Sequence, residues 1–196
     1  NRKFHIDSLF PSNVSDTLNV REFKYEDWIY SPEGEYKLNA LHGTQDNLPF
    51  YDASQVRNDL GNIGSANHQI LYDSNRPFGF HFTSSRNAYW KHLAKRKLLV
   101  SDKMFSNVQY SNGVNRENYL RTNFTRGFGA LLDLGFSFDR INSEGFYQRQ
   151  RNTITDLSVY GAFRSKNSRY KASVMFTYMN LMAEENGGIV TDSVFE

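Results

Sequence analysis

Residues 129–140, GALLDLGFSFDR, place Ala130, Leu132, Leu134, Phe136 and Phe138 at every second position. Leu131, Asp133, Gly135, Ser137 and Asp139 fill the alternate places. A repeat of two is the repeat of a β-strand, whose successive side chains point to opposite faces. One face of this segment is therefore apolar along its length, while the other can sit in water. The question is what the apolar face meets, in a chain whose mean hydropathy is as low as -0.64.

The same pattern recurs on both sides. In 104–110, Met104, Val108 and Tyr110 share a face, and SNGVN then offers a tight turn. In 116–126, Leu120, Thr122 and Phe124 oppose Tyr119, Arg121, Asn123 and Thr125. In 153–164, Leu157, Val159 and Phe163 oppose Asp156, Ser158 and Arg164. In 169–179, Tyr170, Ala172, Val174, Phe176 and Tyr178 oppose Arg169, Lys171, Ser173, Met175 and Thr177. About five consecutive segments of this kind, separated by turn residues, predict an antiparallel meander over 102–196.

Residues 1–101 read differently. They hold every histidine and every proline, with dense turn chemistry in SPEGE, LGNIGSANH and DSNRPFGF. Phe78, Phe80 and Phe82 have the spacing of a short single strand, and AYWKHLAKRKLLV at 88–100 has the character of a short amphipathic helix with solvated lysines. This half is expected to be a turn-rich plug or periplasmic segment next to the meander.

Two environments suit an alternating meander. In a soluble sandwich the apolar face packs on a second sheet. In an outer-membrane barrel it meets lipid, and the polar face lines the lumen. Three features favour the barrel. The segments approach the roughly 9–11 tilted residues that cross a bilayer, against about 5–6 for a typical soluble strand. GFG and SKNS are short turns at one end, whereas INSEGFYQRQRN is a longer connection at the other. Phe128, Phe163 and Tyr170 would gather at the short-turn rim, and Tyr110, Phe138 and Tyr178 at the opposite one, where amphipathic rings sit well.

On this reading Arg121, Asp133, Asp139, Asp156, Arg164, Arg169 and Lys171 face the lumen. Leu120, Phe124, Leu132, Leu134, Phe136, Phe138, Leu157, Val159, Phe163, Val174 and Phe176 face lipid. A charge on the lipid face costs about 2–4 kcal/mol at the midplane for Arg or Lys. The expected fold class is thus all-β, an antiparallel meander forming part of a transmembrane outer-membrane β-barrel.

Composition narrows the function. The net charge is +2, with no basic stripe of the kind that binds nucleic acid. Cysteine is absent, which removes thiolate catalysis and thiolate metal sites. No apolar run reaches the roughly 18 residues of a transmembrane helix, a test that alternating barrel strands also fail. His81 and His92 lack the spacing of metal ligands, and Ser84 and Ser85 lack a strained nucleophile turn, so no enzyme activity, cofactor or metal is expected. Glu184, Glu185 and Asp192 could gather a calcium ion, but a solvated loop explains them.

Several stretches are also familiar. DRINSEGFYQRQ at 139–150, YGAFRSKNSRYKASVMFTY at 160–178 and AEENGGI at 183–189 resemble the putative porin family of outer-membrane β-barrels found in Bacteroidota. DTLNV at 16–20, LGNIGSA at 60–66 and VQYSNGVNRENYL at 108–120 resemble it too. The resemblance implies a cell outer-membrane location, a chain with more strands than these, and no catalytic residues. The chain begins at Asn1 without an initiator methionine, as a processed form or a fragment would.

The resulting expectation is a porin-like barrel that passes small polar solutes through a mixed-charge lumen. Its partners would be outer-membrane lipid and other outer-membrane or periplasmic proteins. Two alternatives stand beside it: a non-conducting structural subunit of a larger outer-membrane assembly, and a soluble β-sandwich that binds carbohydrate through exposed aromatics.

Overall fold

The computed structural model describes residues 20–25, 28, 36–37, 57–59, 61–70, 84–86, 88–91, 93, 96–129, 131–147, 149–167 and 169–184. Regular structure there is almost entirely antiparallel strand, with a short 3-10 turn at Ser84–Arg86. The expected strand at Phe78–Phe82, His81, His92 and the acid-rich stretch beyond Glu184 lie outside the described residues.

The early strands are short: Val20–Lys24 (β1), Tyr36–Lys37 (β2), Arg57–Asp59 (β3), Asn67–Gln69 (β4) and Lys97–Ser101 (β5). They form two small sheets, β2-β1-β5 and β3-β4. The later strands are Phe105–Asn112 (β6), Asn118–Phe128 (β7), Leu132–Ser143 (β8), Asn152–Arg164 (β9) and Lys171–Ala183 (β10). They pair only with their sequence neighbours, in the order β10-β9-β8-β7-β6, all antiparallel. This is the meander read from the alternation. β7 to β10 run 11, 12, 13 and 13 residues, well beyond ordinary soluble strands.

Register keeps the two side-chain series apart across the whole sheet. Phe124 lies opposite Phe136, Phe136 opposite Val159, and Val159 opposite Phe176. The rings of Phe124 and Phe136 stack at 5.6 Å. On the other face, Arg121 lies opposite Asp139 and Asp139 opposite Asp156. A slip of one residue would exchange the two faces, so the side-chain pattern itself specifies the pairing.

The segment 88–100 departs from expectation. Its second half is a strand, β5, with Leu98, Leu99 and Val100 all buried. A helix would hide one side of such a run. β5 instead lies between β1 and the large sheet and buries both of its faces, which permits three consecutive apolar residues. Val20, Phe23, Trp28, Leu98, Leu99, Val100, Tyr160 and Ala162 form the resulting core. Phe23 meets Trp28 edge to face at 5.0 Å. A second core gathers Tyr89, Tyr119, Ile141 and Ile154, with Ile63, Met179 and Leu181 against it.

Candidate functional site: a covered polar wall

The two faces of the large sheet meet opposite surroundings. Asp133, Asp139, Asp156 and Ser158 are buried, at 7%, 5%, 3% and 3% exposure. Leu134, Phe136, Val159, Phe163, Val174 and Phe176 are exposed, Val174 at 74% and Phe176 at 65%. A water-soluble sheet arranges these classes the other way round. Among the described residues, the cover over the polar face comes from the segments 20–28, 61–66 and 84–101.

At mid-wall the cover meets charge with charge. Asp139 and Asp156 are direct cross-strand neighbours, a pairing of like charges that is unfavourable on its own. Lys91 bridges them, in direct contact with Oδ2 of Asp139 and 3.2 Å from Oδ2 of Asp156. Arg96 donates from Nη2 to Oδ1 of Asp156 at 2.8 Å and from Nη1 to Oδ2 at 3.2 Å, and also contacts Ser158. From the wall itself, Arg121 Nε donates to Oδ1 of Asp139 at 2.7 Å, and the Tyr119 hydroxyl reaches the same oxygen at 3.3 Å. Buried charges are tolerated when paired and hydrogen-bonded, and here each carboxylate has at least two partners.

Toward the short turns that join β7 to β8 and β9 to β10, the contact is apolar and backbone-directed. The Tyr160 hydroxyl donates to the Leu99 carbonyl at 3.1 Å and accepts from the Leu99 amide at 3.0 Å. Thr125 Oγ1 donates to that same carbonyl at 2.8 Å. Two wall side chains thus do for β5 what a neighbouring strand would otherwise do. β5 can come this close because the wall carries Gly127, where a Cβ would lie 2.3 Å from the Ser101 carbonyl oxygen. Trp28 sits beneath Arg164 and Lys171, whose cationic groups are 5.8 and 5.6 Å from its ring centroid.

Toward the connections that join β6 to β7 and β8 to β9, the LGNIGSANH stretch docks. Asn62 Nδ2 donates to Ser143 Oγ at 3.0 Å and to the Gln150 carbonyl at 3.2 Å. The Ile63 amide donates to Glu117 Oε1 at 2.9 Å, and the Gly64 amide to the Tyr89 hydroxyl at 3.1 Å. Gly64 has φ +85°, a left-handed conformation that strains residues with a Cβ, and a Cβ there would lie 3.1 Å from that of Asn152. The cover therefore touches the wall along nearly its full length.

Of the residues read as lumen-facing, Arg121, Asp133, Asp139, Asp156, Arg164 and Lys171 share the covered face. Arg169 is the exception: β10 starts at Lys171, and Arg169 is exposed in the preceding turn. Leu120, Phe124, Leu132, Leu134, Phe136, Phe138, Leu157, Val159, Phe163, Val174 and Phe176 share the open face. That face also carries two exposed charges: Arg140, the next place past Phe138 on that face of β8, and Arg126, which stands within the apolar face between Phe124 and Phe128 and opposite Leu134. Arg126 lies over the Phe128 ring at 5.1 Å.

Sequence reasoning missed Trp28, Lys91, Arg96, Tyr119 and Tyr160 as contact residues. Tyr119 and Tyr160 were legible in part, because each stands in the polar series of its strand. No local pattern marks Lys91 or Arg96, whose partners lie 48 and 60 residues away. Among the described residues, no group of acids and histidines could hold a metal, and no helix is long and apolar enough to cross a membrane, which says nothing of strands.

No curated protein and no solved structure matches the chain. The sequence profile of the family described as Putative porin matches residues 5–196. With nearly its whole length matched to that profile, and with a long-stranded antiparallel sheet whose polar face is covered and whose apolar face is open, this chain belongs to the putative porin family.

Proposed function

We propose that the five-stranded sheet is a stretch of an outer-membrane β-barrel wall. Its open apolar face meets lipid, its covered face borders a polar passage, and the segment before residue 102 is a plug seated in that passage. The observation that carries this reading is the inverted burial: carboxylates hidden, leucines and phenylalanines exposed. Lipid resolves the inversion, because hydrocarbon accepts the exposed rings while the enclosed charges find partners in the plug and in water. Five strands are fewer than the roughly eight of the smallest such barrels, so the closed structure uses further strands.

The activity is porin-like and non-enzymatic: passage of small polar solutes along a wall of mixed charge. Purified full-length protein in planar bilayers is expected to give discrete conductance steps. A second reading has support in the completeness of the mid-wall pairing, which suits a barrel that stays plugged and serves as a structural subunit of an outer-membrane assembly. Bilayer silence together with stably co-purifying outer-membrane proteins would select that reading. A protein that is monodisperse without detergent would overturn both and return the soluble sandwich.

A further inference from the structure

Along the wall, the cover changes chemistry. At the short-turn end its contacts are Trp28, Leu98, Leu99 and Val100 against Tyr160 and Ala162. At the other end they are hydrogen bonds from Asn62 and Ile63 and the packing of Ile63 and Tyr89. Between them the contact is ionic, two cations of the cover on two carboxylates of the wall. Without the cover, Asp139 and Asp156 would remain side by side with Arg121 as their one ion-pair partner among the described residues. Arg121 offsets one of the two charges, and among the described residues the seated segment supplies the cations that offset the other.

We infer that Lys91 and Arg96 form an ionic latch that decides whether the segment 84–101 stays against the wall. The inference rests on the plug-and-wall reading above. The Asp139–Asp156 repulsion makes the seated state depend on the cover's charge rather than on its shape alone. Water entering the gap would hydrate all four groups at once, so an electrostatic contact of this kind can open and reseat without rearranging the barrel strands. An apolar mid-wall contact would lack that property, since its exposure is unfavourable whether or not a partner is present.

The experiment uses the full-length protein, folded in detergent or lipid. Ala162 is fully buried on the covered face, and the sequence has no cysteine, so Ala162→Cys supplies a sole thiol in this region. Its reaction with a charged, membrane-impermeant maleimide reports exposure of the wall. In the otherwise native protein, labelling is slow. In Lys91→Gln/Arg96→Gln it rises by roughly tenfold or more, because the pairs that hold the segment are gone. Lys91→Arg/Arg96→Lys keeps both charges and stays close to native labelling.

Adding Asp139→Asn/Asp156→Asn to the neutral pair leaves no unpaired carboxylate. With the Asp139–Asp156 repulsion removed, this quadruple variant is expected to label more slowly than the double one. Native-like labelling in the double variant, or in Lys91→Gln alone where the double variant does not fold as judged by heat-modifiable gel mobility, would overturn the latch. Bilayer conductance is recorded in parallel. Raised labelling with a silent bilayer would uphold the latch and reject the conducting passage, whereas unchanged labelling in a conducting protein would do the reverse.

Discussion

Gly135 and Tyr160 face each other across β8 and β9, and the Tyr160 hydroxyl oxygen lies 2.4 Å from where Gly135 would carry a Cβ. The glycine leaves room for the ring to lie over its backbone, and the ring delivers its hydroxyl to Leu99 of the cover. Gly135→Ala would displace the ring. It is expected to destabilise the folded protein by about 1–3 kcal/mol, as over-packing does elsewhere. Tyr160→Phe keeps the ring but leaves the Leu99 amide without this partner, at a cost of about 1–3 kcal/mol. Denaturant midpoints of the detergent-solubilised protein measure both. No shift for either variant would mean that the cover is held elsewhere.

The open face makes a position-dependent prediction. Val159→Arg places a charge in the row formed by Phe124, Phe136 and Phe176. If that row lies near the bilayer midplane, the cost is about 2–4 kcal/mol. Arg140→Leu, at the end of the apolar series, should change stability by less than about 1 kcal/mol. Reversible folding into lipid vesicles across a urea gradient compares the two. Equal costs would contradict a lipid-facing surface.

The two tryptophans are expected to report separately on the cover. Trp28 is 2% exposed and Trp90 43%. With Trp90→Phe, the remaining emission should be blue-shifted and poorly quenched by iodide. With Trp28→Phe it should be red-shifted and readily quenched. Readily quenched emission from Trp28 in the folded protein would place it outside a packed contact.

The docking of the LGNIGSANH stretch can be weighed against a surface ion pair close by. Asn62→Ala removes hydrogen bonds to Ser143 and Gln150, for about 1–3 kcal/mol. Gly64→Ala adds left-handed strain and a tight approach to Asn152, for about 1–3 kcal/mol. Arg116→Ala breaks an exposed pair with Glu144, for about 0–1 kcal/mol. Limited proteolysis of the segment before residue 102 should speed up in the first two variants and not in the third.

Much of the wall was readable in advance because strand alternation is a local property. Leu132, Leu134, Phe136 and Phe138 declare one face without reference to any other residue. The limits of each strand were less legible. β10 starts two residues later than its pattern suggested, because Arg169 and Tyr170 continue the alternation into a turn, where the Ser165 amide bonds the Tyr170 carbonyl. β5 was misread as part of a helix because a strand buried on both faces loses the very alternation by which strands are recognised.

The sequence alone thus determined that the second half is a run of two-faced strands with apolar and polar residues segregated, since period two requires nothing beyond neighbouring residues. Only the tertiary structure decided that the polar face is the covered one, and that Lys91, Arg96, Trp28 and β5 cover it. Those contacts join residues tens of positions apart, and an ion pair between distant residues leaves no periodic trace in the chain. What surrounds each face depends on such long-range packing, and so it appears only once the chain has folded back on itself.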